Sequence, residues 1–128
     1  MPETVRIASI VQKGVQSGRS SYVEMRALAR LTSQNVRAKA HAVQSSLKKD
    51  DSLNAVLKTL PMAMYEGYAD VLTPNGNVRD EKLDALLSLD SDIVTCLGVI
   101  AKDRSKEAED ALRELVQERK KFVDALRA

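Results

Sequence analysis

Apolar residues return every three or four positions along most of this chain, the spacing that places them on one face of a helix. Val5, Ala8, Val11 (or Gln12) and Val15 do so first, with Ile7 and Ile10 widening the stripe. They predict a helix over residues 3–17 that Gly18 brings to a stop. Ser21-Tyr22-Val23-Glu24 then fits a capping box, in which the Ser oxygen and the Glu carboxylate each satisfy an orphan backbone N–H. From there Tyr22, Met25, Ala29, Thr32, Val36, Ala40, Val43 and Leu47 form one apolar seam of about seven turns. That seam predicts an uninterrupted helix over residues 21–48. Lys48 and Lys49 sit at its end, where cations favour the negative pole of the helix dipole.

Asp51 or Ser52 is positioned to cap the next helix, which runs through Leu53, Val56, Leu57, Leu60, Met64, Tyr68 and Val71. Pro61 lies inside it and removes a backbone donor, so a kink or break is expected near Leu60. Thr73-Pro74-Asn75-Gly76-Asn77 is the strongest turn signal, and its helical flanks make it a connection between helices rather than a hairpin. Leu83, Leu86, Leu87 and Leu89 predict a short amphipathic piece. Asp90-Ser91-Asp92 could cap a new helix through Ile93, Val94, Leu97, Ile100 and Ala101. Ser105 is placed to cap a last helix carrying Ala108, Leu112, Leu115, Val116, Val123 and Leu126, with acids early and bases late. One long helix from Arg79 onward satisfies much of the same pattern. The expected architecture is all-α: an antiparallel bundle of four to five helices, residues 1–128 in a single domain, with a long central helix near 21–48.

Composition supports this. Of 128 residues, 44% are hydrophobic and 30% charged, which argues against wholesale disorder. Three Tyr, one Phe and no Trp leave the core to aliphatic side chains, and five Gly with three Pro are too few turn formers for a many-stranded fold. The single Cys96 excludes an intrachain disulfide and, with only His41 beside it, a four-ligand zinc site built from Cys and His. No signal-peptide layout opens the sequence, and the apolar run at 93–101 is too short to span a bilayer. The expected location is cytoplasmic.

Catalytic chemistry finds few candidates. His41 falls on a polar helix face with no acid within a turn to orient it, and Cys96 lies in the most apolar stretch, where an inert buried thiol is the default. The segment 14–21 lacks the second Gly and the Lys of a phosphate loop, although Arg19 beside a helix start could hold one phosphate. Asp90-Ser91-Asp92 fails as an EF-hand because Val94 takes the next ligand position. No catalytic residue, cofactor or metal is assigned.

Binding has better candidates. Arg26, Arg30, Gln34, Arg37, His41, Gln44 and Lys48 share one arc of about 80°, centred about 120° from the apolar seam. Donors spaced a turn apart can meet successive phosphates or a ladder of carboxylates. An ordinary solvated face, or pairing with the acidic half inside the bundle, explains the same stripe. Residues 1–50 carry nine Lys and Arg against three acids, whereas residues 51–128 carry eleven against fifteen. Met62, Met64, Tyr65 and Tyr68, after Pro61, are candidates for an apolar groove accepting a partner helix, or for plain core. The expected function is a non-catalytic α-helical interaction module, an adaptor or structural subunit of a larger assembly. Its partners would be proteins, acidic or helical, with self-association open. The alternative is a basic-faced subunit gripping nucleic-acid backbone without sequence specificity. Against that alternative stand the modest net charge of +2, the lack of aromatic interleaving, with Tyr22 on the seam leaving no stacking platform, and the absence of a recognised DNA-binding signature.

Overall fold

A computed structural model describes residues 21–128. The helix predicted over 3–17, its Gly18 stop and the Arg19 phosphate position lie outside the described residues. Four helices follow: α1 (Ser21–Gln44), α2 (Leu53–Ala63), α3 (Asp80–Lys102) and α4 (Lys106–Arg127), with a 3-10 turn, η1 (Ala69–Val71), between α2 and α3. The chain is an all-α bundle. No helix among the described residues is long and apolar enough to cross a membrane.

The long second helix is continuous but ends four residues early. The Ser45 hydroxyl donates to the Ala42 carbonyl at 2.8 Å and that of Ser46 to the Val43 carbonyl at 2.9 Å. These bonds occupy helix-end carbonyls and let the chain turn before Lys48. At 24 residues α1 hardly exceeds α3 at 23 or α4 at 22, so no single helix dominates the bundle. Its seam is buried at Met25, Ala29, Thr32, Val36, Ala40 and Val43, joined by Leu28. Tyr22 departs from it, with 53% of its surface exposed. Ser21 is already helical rather than a cap.

At the start of α2 the Leu53 N–H donates to Asp51 Oδ1 at 3.0 Å, so Asp51 supplies the cap and Ser52 does not. The expected break falls after Pro61, not before it: α2 runs on to Ala63, and the chain reverses at Gly67, whose φ is +106°. A Cβ there would lie 2.9 Å from Val123 Cγ2 and 3.1 Å from Leu86 Cδ2. Backbone conformation and close approach both demand glycine at this position. From Gly67 the connection crosses the end of the bundle as η1, which packs on α1, α3 and α4. The Thr73–Asn77 turn then closes through the Thr73 N–H to the Asn77 carbonyl at 2.8 Å, beside a lone antiparallel bridge between Leu72 and Val78.

Asp90 caps nothing. α3 passes through it without interruption, and the break comes at Asp103, after which the Ala108 N–H donates to Ser105 Oγ at 3.1 Å and caps α4. Arg104 ties this turn to the α1–α2 turn through Asp51 at 2.8 Å and also pairs with Glu109.

α1 packs on α2 and α3, and α4 packs on α3 and more lightly on α2, so α1 and α4 stand at opposite corners. The core has two clusters. One gathers Val36, Val43, Leu53, Leu57, Ile93, Leu97 and Leu112, and the other Met25, Leu28, Leu83, Leu86 and Val123. Along α1 and α3 the chain passes from the second cluster to the first, and along α4 it passes the opposite way. α1 and α4 are therefore antiparallel.

Candidate functional site

Two polar features stand out, one inside the bundle and one on its surface. The internal one lies between the two apolar clusters, where each helix or its flank contributes one polar group at the same level. Arg119 Nε donates to Asp90 Oδ1 at 2.6 Å and Nη2 to Oδ2 at 3.2 Å. The Tyr68 hydroxyl donates to Asp90 Oδ2 at 2.5 Å and accepts from Thr32 Oγ1 at 3.4 Å. Arg119 also donates to the Ala63 and Met64 carbonyls at 3.0 and 3.3 Å, capping the open end of α2 with a cation where the helix dipole is negative. Ser33 adds a bond to the Pro61 carbonyl at 2.7 Å.

All members of this belt are buried. Burial pushes the Asp90 carboxyl above its ordinary range, and the bonds from Arg119 and Tyr68 offset this only in part. Burial, followed by the adjacent Asp90, drives the Tyr68 hydroxyl well above the usual phenol value. The belt is saturated: among the described residues no buried side-chain polar atom lacks a partner. It ties side chains of α1, α3 and α4 and the end of α2 together at one level. The sequence reading missed it. The signal was an acid at 90 and a base at 119, each interrupting an otherwise apolar stripe between Leu87 and Ile93 and between Leu112 and Val123.

The surface feature is the polar face of α1. A continuous helix holds Arg26, Arg30, Gln34, Arg37 and His41 exposed on one side, with Gln44 half-buried at its end. Lys48 is exposed in the following turn and so leaves the helical ladder. The Arg26 guanidinium lies over the Tyr22 ring, 5.9 Å from its centroid. Among the described residues no ion pair reaches Arg26, Arg30 or Arg37. The later arginines differ. Arg104, Arg119 and Arg127 pair with acids, Arg79 holds the Asp70 and Val71 carbonyls, and Arg113 reaches Ser52 Oγ. The internal pairing weighed for the α1 stripe is thus absent among the described residues.

The four groove candidates do not form one surface. Met64 and Tyr68 belong to the core, while Met62 and Tyr65 are 66% and 43% exposed. Met64 and Tyr68 continue the three-or-four spacing of Leu57 and Leu60 and so face the core, whereas Met62 and Tyr65 fall on the opposite side of the same turns. Tyr65 instead joins Tyr22, Met25, Arg26, Ala29, Arg30 and Ala69 around an open cleft of about 220 Å³. This is below the roughly 300–1,000 Å³ of small-molecule pockets and suits a side chain or two.

The Cys96 thiol donates to the Ala108 carbonyl at 3.2 Å, and burial raises its pKa, which keeps it protonated. No group of three or more His, Cys, Asp and Glu side chains suited to a metal ion occurs among the described residues. Comparison with protein-family models, curated proteins and solved structures gives no significant match to this chain.

Proposed function

We propose that the protein is a non-catalytic helical interaction module, an adaptor or structural subunit, that docks an acidic partner on the outer face of α1. The observation that carries this reading is the contrast among arginines. Those of α3, α4 and their connections are engaged within the fold, whereas Arg30 and Arg37 stand on a rigid helix without an ion pair among the described residues. Guanidinium groups spaced along one helix favour a partner that presents carboxylates in series. Tyr22 and Tyr65 beside Arg26 and Arg30 add aromatic surface of the kind that anchors interfaces.

The exposure of Tyr22 also bears on a second reading. It removes one of the reasons for setting nucleic acid aside, because a ring on the surface beside arginines can stack on a base while the arginines meet phosphates, although the modest net charge of +2 still weighs against that reading.

Gentle purification followed by mass spectrometry and an ultraviolet spectrum separates the two readings. With no Trp and three Tyr the protein absorbs weakly, so bound nucleic acid would dominate the spectrum. The first reading expects a protein partner that is lost from Arg30→Ala/Arg37→Ala. Retention of that partner by the double variant would refute docking on α1. For the second reading, the same substitutions would weaken nucleic-acid binding and flatten its salt dependence.

A further inference from the structure

The outer faces of α1 and α4 carry opposite charge in the same arrangement. On α4, Glu107, Asp110, Glu114 and Glu118 are all exposed and fall within one arc of about 80°, which holds no Lys or Arg between them. Among the described residues none of the four has an ion pair. Arg26, Arg30, Gln34 and Arg37 advance by steps of four, four and three. The acids, read backwards from Glu118, advance by the same steps. Each set spans about 16 Å along its helix. Set antiparallel, the helices place Arg26 against Glu118, Arg30 against Glu114, Gln34 against Asp110 and Arg37 against Glu107. Both helices carry like charges one turn apart, a local penalty that an opposing stripe would relieve.

The fold forbids this pairing within one chain, because α1 and α4 stand at opposite corners and turn these faces outward in different directions. It also supplies the needed direction between chains. α1 and α4 are antiparallel within a molecule, so a neighbour displaced sideways without being turned over presents its α4 antiparallel to α1. We propose that the acidic partner of α1 is a second copy of this chain, docked through α4, an inference that rests on α1 being the docking face.

Such an interface is head-to-tail. Every copy that uses its α1 keeps α4 free, so growth continues past the dimer. The hydrogen-bonded belt places Thr32 level with Arg119 inside one molecule. The docked register sets Thr32 opposite the neighbour's Leu112, seven positions away, which offsets successive copies by roughly 10 Å along the helices. The offset makes the array staggered and open rather than a flat ring.

The test is sedimentation of the full chain at low and high salt, since the screening length falls from about 30 Å at 0.01 M to about 3 Å at 1 M. Wild type should form species larger than a dimer at low salt and dissociate at high salt. Arg30→Ala/Arg37→Ala and Glu107→Gln/Glu114→Gln should each be monomeric with unchanged helical circular dichroism. Mixed, they should form a dimer and nothing larger, because one retains α4 and the other α1. A monomeric wild type at low salt, or assembly surviving in either double variant, would overturn the proposal. A polyglutamate peptide distinguishes this failure from that of the parent reading. If wild type is monomeric but binds the peptide through Arg30 and Arg37, α1 remains the docking face and the second copy is excluded. If it neither assembles nor binds the peptide, both ideas fall.

Discussion

Replacing Arg119 by Met would leave the Asp90 carboxylate buried with only Tyr68 for support and would strip the Ala63 and Met64 carbonyls of their donor. Breaking a buried ion pair from one side typically costs about 3–5 kcal/mol, because the remaining charge has lost its partner but not its burial. Against a total stability on the order of 5–15 kcal/mol, that is a large fraction. In urea, with a slope of about 2 kcal/mol/M, the unfolding midpoint should fall by roughly 2 M with the slope unchanged. The deficit should also depend on pH in a defined direction. Burial already raises the Asp90 pKa, and without Arg119 it rises further, so the folded variant prefers the neutral acid more strongly than the unfolded chain does. The variant should therefore regain stability relative to wild type as pH falls toward the ordinary carboxylate range. Replacing both partners, as in Asp90→Leu/Arg119→Met, should cost less than the sum of the single changes, because no lone charge remains. A loss below about 1 kcal/mol for Arg119→Met, or a deficit that does not shrink in acid, would show that the belt does not hold the helices together.

Glycine substitutions should diverge. Gly98→Ala has open space around its Cβ inside α3 and should stabilise by roughly 0.5–1 kcal/mol, whereas Gly67→Ala, at positive φ and against Val123 and Leu86, should destabilise by at least about 1–3 kcal/mol in thermal melts. Ser105→Ala removes the bond to the Ala108 N–H and should cost about 1 kcal/mol by urea titration. Asp51 has its pKa lowered by the Leu53 N–H and then by Arg104, so its stabilisation is present above the unfolded-state carboxylate pKa and is lost as pH falls through the lower folded value. Asp51→Asn should flatten that acid limb of the stability profile. An unaltered limb would refute the assignment.

The all-α class, the helices α1, α2 and α4, the turn at Thr73–Asn77 and most core positions were legible in the sequence, because helical periodicity and turn chemistry are local properties, whereas α3 read as two pieces divided at Asp90. Boundaries were less so. Ser45 and Ser46 end α1 through hydroxyl bonds that a seam extending to Leu47 does not announce, and the next helix passes Pro61 to end at Ala63, short of the Val71 that its seam reaches. Asp90 shows the deeper limit. Next to Ser91 and Asp92 it reads as a helix cap, and only Arg119, 29 positions away, makes it a buried partner. Met64 and Tyr68 were already separable from Met62 and Tyr65, because only the first two continue the apolar seam through Leu57 and Leu60; grouping all four by residue type as one groove overlooked that period.

The amino-acid order by itself determined that the chain forms helices, where most of them lie, and that cations line one side of the first described helix. Each follows from residues within a few turns of one another. The tertiary structure decided which charges are left over. Whether an arginine is spent inside the fold or faces outward depends on what other helices bring within about 3 Å of it, and spacing along a single helix carries no information about that distance.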